Sequence, residues 1–172
     1  MLNLKGTPEA LLTYNQEKNV KLLEKFKVLN RQEINARMEI QLENYCKILN
    51  IEARTMMEMT NRDILPACIK FMDKLASEIR IKHKVDIEAN CEKEILKKVS
   101  TLTDDAYNAL QELTVVSKQV KLEEDIEKRA KLYREKLLGC MTTLRTHVDN
   151  LEKIVAKEDW PFPSYCDILY SV

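Results

Sequence analysis

Hydrophobic and polar positions alternate along most of this chain with the period of an α-helix. Apolar residues recur at Met38, Leu42, Tyr45, Leu49, Ala53 and Met56. After a polar gap they resume at Ile64, Ala67, Phe71, Leu75 and Ile79. Steps of three and four residues put these side chains on one helical face, so the pattern predicts a long helix from about residue 30 to about residue 83. Asn30, with Glu33 three residues on, is a capping-box start for it. The gap passes through Thr60 and holds Asn61 and Arg62, and Pro66 follows soon after. A proline inside a helix removes one backbone hydrogen bond and crowds the preceding turn, so a kink is expected at residues 61–66.

A second stripe, from Ile95 through Val99, Leu102, Ala106, Leu110 and Leu113 to Val116, predicts a helix over about residues 91–118. The third stripe is the most regular. It runs through Ile126, Ala130, Tyr133, Leu137, Met141, Leu144, Val148, Leu151 and Val155, and predicts a helix over about residues 123–156. No Gly or Pro separates these two helices. A break near residues 118–124 is expected because a single rod of over about 60 residues is improbable in a compact domain. Residues 84–90 have no period and read as a connection.

Ahead of the long helices, Thr7, Pro8 and Glu9 read as N-cap, first-turn proline and first-turn acid of a short helix reaching Leu12 or Tyr14. Glu17 to Val28 reads as a second, with Val20, Leu22, Leu23 and Phe26 on its apolar side. The expected fold is all-α: an antiparallel bundle of three long helices, with short N-terminal helices and an extended C-terminal tail rich in aromatics and proline. Its parts are an N-terminal junction over 1–29, the bundle over 30–159 and the tail over 160–172, one domain overall.

Composition narrows the function classes. Of 172 residues, only 2 are Gly and 4 are Pro, too few for the turns of a sheet protein. The 28 basic and 28 acidic side chains cancel, which removes the basic excess expected of a nucleic-acid binder. No apolar run approaches the roughly 18 residues of a membrane span, and the N-terminus lacks a signal peptide's apolar core. A cytoplasmic chain without nucleic-acid or membrane partners is expected. Cys46, Cys68, Cys91, Cys140 and Cys166 include no CxxC pair and read as reduced thiols, most of them buried.

Catalytic chemistry finds little footing. A di-iron bundle needs Glu-x-x-His pairs, but the residues three before His83 and His147 are Arg80 and Leu144. His83 suits a helix C-terminus and His147 an interface or the surface. Gly-rich phosphate loops are absent. The acids Asp104-Asp105 and Glu123-Glu124-Asp125 read as dipole partners at helix starts rather than catalytic dyads. No catalytic, cofactor-binding or metal-binding residue is assigned. One polar patch, Asn50, Glu52, Arg54 and Thr55, crowds the long helix beside Ala53. Glu52 and Arg54 are candidates for a domain interface and should be either paired or wet, since lone buried charges are costly.

The chain ends WPFPSYCDILYSV, which holds its single Trp, two of its 4 prolines and two of its 6 tyrosines. Proline fixes its own φ and biases its predecessor away from helix, so Pro161 and Pro163 should hold Trp160 to Tyr165 extended. Trp160, Phe162, Tyr165, Ile168, Leu169 and Tyr170 could then lie on an apolar surface as a docking segment. A helical protein-protein adaptor, binding through Met56, Met57, Met59 and this tail, is one reading of the residues.

Three stretches carry a resemblance. NYCKILNIEARTMMEMTNRDILPA at residues 44–67 resembles a helix in the C-terminal region of type III glutamine synthetases. The tail resembles that family's ending, WPFPTYGDLLF, and LNLKGTPEAL at residues 2–11 resembles the junction before its helical region. Order and spacing agree across essentially the whole chain. The resemblance implies a scaffold or interface domain of a cytosolic enzyme that joins glutamate and ammonia using ATP and Mg or Mn. It also implies partners: a catalytic β-sheet domain ahead of this segment, and neighbouring subunits of stacked hexameric rings. None of that family's catalytic residues falls on this sequence, so the segment itself is expected to hold no cofactor. Two positions depart from the family pattern: Gly139 stands where a proline is expected in the last long helix, and Cys166 where the tail has glycine.

Overall fold

The computed structural model of the protein describes residues 4, 6–163 and 165–169, without the side chains of Tyr165 and Cys166. It is all-α, with no strand among the described residues. Helix α1 spans Thr7–Leu12, capped by Gly6 rather than Thr7, with Pro8 in its first turn. A 3-10 turn, Thr13–Asn15, leads to α2, Glu17–Lys25. The α2 stop uses no glycine. Lys27 adopts φ 53°, and the N–H groups of Lys27 and Val28 donate to the carbonyls of Glu24 and Leu23, each at 3.0 Å. These are the paired bonds of a Schellman stop.

Helix α3, Arg31–Met59, starts on the expected capping box. Glu33 N–H donates to Asn30 Oδ1 at 2.9 Å, and Asn30 N–H donates to Glu33 Oε2 at 2.8 Å. The disturbance expected at residues 61–66 is a π-helical turn, Thr60–Ile64, which passes directly into α4, Leu65–Lys84. Leu65 N–H reaches back five residues to the Thr60 carbonyl. Spacing is compatible with this turn. Met56, Thr60, Ile64 and Cys68 stand four apart, and each step of four overshoots one α-helical turn by about 40°. One extra residue in the turn restores the phase, and the wider turn comes just before Pro66, which has no N–H to donate.

A second Schellman stop ends α4. Asp86 adopts φ 54°, Ile87 N–H donates to Lys82 O at 3.0 Å and Asp86 N–H to His83 O at 3.4 Å. Helix α5 spans Asn90–Gln119 and tightens into a 3-10 turn, Val120–Leu122. The break expected there is made by Asp125, whose Oδ1 accepts from the N–H groups of Glu127 at 2.9 Å and Lys128 at 3.0 Å to start α6, Ile126–Leu132. Asp125 thus serves a helix start, whereas Asp104 and Asp105 lie inside α5 and do not. A second π turn, Tyr133–Leu137, runs into α7, Leu138–Glu152. Gly139 follows this turn by two residues, as Pro66 follows the first. The tail is not extended throughout, because Tyr165–Leu169 forms a short helix, α8. The two prolines restrict only themselves and their predecessors, leaving the backbone beyond Pro163 free to turn.

The chain packs as two compact units. One comprises residues 1–54 and 115–139, the other residues 55–114 and 140–172. In the first, Val20, Ile34, Leu42, Val120, Ala130 and Leu137 are buried. There Arg134, from the second π turn, pairs with Glu9 of α1. A Cβ on Gly6 would lie 2.5 Å from Arg134 Nε, so the glycine makes room for that ion pair. In the second unit the core is built on Cys68, Val99, Ala106, Leu113, Leu144 and Leu151, and a Lys82–Glu92 ion pair spans the turn between α4 and α5.

Candidate functional site

The tail is rooted before it begins. Asp159 and Trp160 donate their N–H groups to the Ala156 carbonyl at 2.9 and 3.0 Å, which turns the chain after α7. The Asp159 side chain is only 1% exposed. Both of its oxygens accept from Lys74 Nζ of α4 at 2.7 Å, and Lys70 Nζ lies 3.5 Å away. The hydrogen bond from Lys74 holds the Asp159 carboxyl below its ordinary range, against the opposing effect of desolvation. The same bond raises Lys74.

Beyond this anchor Trp160 and Phe162 are half-buried, while Pro161 and Pro163 are exposed. Lys157 Nζ donates to Asp167 Oδ1 at 2.6 Å and so ties α8 back to the preceding turn. Ile168 and Leu169 stand 60% and 71% exposed. The Tyr165 and Cys166 side chains and Tyr170, which belong to the expected docking segment, fall outside the described residues. The anchor Asp159 was not among the residues singled out from sequence. Its position next to Trp160 gave no sign of a partner 85 residues away.

The charges of the polar patch on α3 are wet. Glu52 and Arg54 are exposed and Asn50 is half-buried. What the sequence reading missed is a second apolar stripe on the same helix. Ile40, Ile48 and Ile51 are 62%, 48% and 63% exposed. Spacings of eight and three place them on one face, between Glu52 and Arg54. A single fitted stripe hides such a face, and the signal for it was an excess of Ile at positions out of phase with the core. Leu11, Tyr14 and Arg37 line a groove beside Ile40. Met56, Met57 and Met59 are half-buried, and Met57 Sδ accepts from Thr114 Oγ1 at 3.4 Å.

His83 is exposed in the last turn of α4 beside Lys82 and Lys84, and His147 is half-buried. Among the described residues, no three or more His, Cys, Asp or Glu side chains gather as a metal would require. Cys46, Cys68, Cys91 and Cys140 are free thiols, of which Cys46 and Cys68 are buried. Burial pushes the thiols of Cys46, Cys68 and Cys140 up. No helix among the described residues is long and apolar enough to cross a membrane.

Comparison with known proteins gives these features a context. Residues 1–84 match the family model described as the glutamine synthetase C-terminal domain. The chain is similar to the type-3 glutamine synthetase of Dictyostelium discoideum, at 30% identity across 99% of this chain and 24% of that protein. It is also similar to a glutamine synthetase of Butyrivibrio fibrisolvens, at 27% identity over 99% of this chain and 25% of the relative. A glutamine synthetase of Bacteroides fragilis (strain YCH46) matches at 24% identity over 99% of this chain and 24% of its own length. The chain therefore spans about a quarter of the length of the relatives it matches.

Proposed function

We propose that this chain, whose residues 1–84 match the glutamine synthetase C-terminal domain model and which is similar along 99% of its length to a type-3 glutamine synthetase, is the C-terminal helical scaffold of such an enzyme. The whole protein would join glutamate and ammonia at the expense of ATP, with Mg or Mn, in the cytoplasm. Those reactants belong to a catalytic domain outside these residues, and this segment contributes no group to the chemistry. Its partners are that domain and neighbouring subunits of a ring-shaped homo-oligomer, not nucleic acid or membrane. The observation that carries this reading is homology along 99% of the chain to proteins about four times as long.

The contacts we assign to it use exposed and half-buried groups, with Tyr165 carried from the sequence reading. In the second unit they are Trp160, Phe162 and Leu169, framed by Pro161 and Pro163 and joined by Tyr165. In the first they are Glu52 and Arg54 with the Ile48 and Ile51 stripe between and beside them. The working division is a junction over 1–29, a helical body over 30–159 and a docking tail over 160–172. Exposed apolar stripes of this kind mark interaction surfaces, and the remaining three quarters of the relatives' length supplies the occupant.

An antibody against this segment tests the reading on source-cell extract. A polypeptide several times larger than 20.1 kDa, co-purifying with ammonium-dependent glutamine formation, is expected. A band near 20 kDa without that activity would overturn it in favour of a free-standing helical adaptor. Within the large polypeptide, removing residues 160–172 should weaken assembly or lower Tm, and no change in either would refute the docking role of the tail.

A further inference from the structure

The first unit contains a polar cleft of about 360 Å³ that the scaffold role leaves unused. Glu43, Cys46, Lys47 and Asn50 of α3 form one wall, at the i, i+3, i+4 and i+7 positions of a helical face. Lys121 of the 3-10 turn, Arg129 of α6 and Tyr133 form the other. Tyr133 opens the second π turn, and such turns recur at functional sites.

Two of the residues that line this cleft carry a buried polar atom without a hydrogen-bond partner: Arg129 Nε, a cationic donor, and Asn50 Oδ1, an acceptor. A buried donor and a buried acceptor left unpaired beside one cavity are each costly, and a ligand toward which both side chains turn relieves two penalties at once. Charge selects the ligand's sign. Glu43 is engaged by Lys47 at 3.5 Å, whereas neither Lys121 nor Arg129 has a carboxylate partner among the described residues. Burial also raises the Cys46 thiol and the Tyr133 phenol, so neither adds negative charge at neutral pH.

We propose that this cleft binds a small oxyanion that carries its own hydrogen-bond donor, with the oxyanion on Arg129 and Lys121 and the donor on Asn50 Oδ1. An acidic α-amino acid and a hydrogenphosphate group share that chemistry. The cleft draws on one unit alone, so its occupancy can be measured on this chain, whatever longer protein the chain belongs to.

Calorimetric titration of the full chain with inorganic phosphate and, separately, with L-aspartate tests it. At least one should bind saturably and raise Tm. Phosphate alone would assign the cleft to phosphate groups, and aspartate alone to α-amino acids. Arg129→Gln should weaken binding at least about tenfold, the loss of one charge-assisted hydrogen bond. Lys121→Gln, at an exposed position that the fold does not depend on, should weaken it severalfold. Arg145→Gln, which removes an exposed cation paired with Asp149 in the other unit, should leave binding unchanged. Absence of saturable binding by either probe up to about 10 mM, or binding that survives both Arg129→Gln and Lys121→Gln, overturns the assignment.

Discussion

Three small residue-scale features carry measurable consequences. Lys27 holds φ 53° in the α2 stop, a conformation in which a Cβ is crowded and glycine is not. Lys27→Gly should therefore raise stability by about 0.5–1 kcal/mol despite the greater freedom glycine gives the unfolded chain. Asp86→Gly should gain less, because Asp tolerates this region better than Lys. The opposite exchange helps at Gly139, which is exposed inside α7 and where a new Cβ meets nothing within 4 Å. Gly139→Ala should add about 0.5–1 kcal/mol by removing a glycine from a helix interior. Urea unfolding at constant m reads all three. The thiols give a kinetic test. In a Cys166→Ser background, a disulfide reagent should modify exposed Cys91 rapidly in the native chain. Buried Cys46 and Cys68, with raised pKa values, should react only as the fold opens. Equal rates for all of them would contradict the observed burial.

At the scale of elements, the Asn30–Glu33 box begins the longest helical run in the chain. Asn30→Ala should cost about 1 kcal/mol in the same unfolding assay. That start was legible because the box is local, needing only two residues at a fixed spacing. The stops of α2 and α4 were harder to read, because their left-handed positions are filled by Lys27 and Asp86 and the sequence offers no glycine to mark them. The π turns were half legible. Pro66 announced a disturbance. The steps of four through Thr60 and Ile64, and again from Tyr133 to Leu137 to Met141, fit a widened turn but did not announce one, because Ile34, Met38, Leu42 and Cys46 keep the same spacing, all buried, inside regular α3. The candidate site was read less completely. The tail's aromatics stood out by composition, but Ile40, Ile48 and Ile51 did not, because an exposed stripe differs from a core stripe only in what lies opposite it. The orphaned atoms of Asn50 and Arg129 depend on residues about 80 apart in the chain, which no local pattern brings together.

Across the whole molecule, stability should follow pH through its anchored carboxylates, and Asp159 is the clearest case. Its folded pKa lies below the ordinary 3.8 because Lys74 donates to it, so its contribution is present above that value and is lost as pH falls through the lower folded one. Glu17 beside Arg31, Glu92 beside Lys82, and Asp125 at its helix start are shifted the same way, so their contributions are likewise lost on acidification. Lys74 and Lys82 are raised above 10.5, and their contributions, present below it, fade as pH rises through the folded values. The chain should accordingly show a plateau of Tm through neutral pH and a fall below about pH 4. Asp159→Asn separates this anchor from the rest. The amide keeps the shape but loses the charge that Lys74 and Lys70 face. The variant should melt lower than the parent at pH 7, and the gap should narrow as the medium is acidified from about pH 4 toward pH 2 and the parent's carboxyl takes up its proton. A gap that stays constant from pH 7 to pH 2 would mean that Asp159 acts through packing rather than charge. The root of the tail would then be held by that packing and the turn at Ala156, not by the ion pair with Lys74.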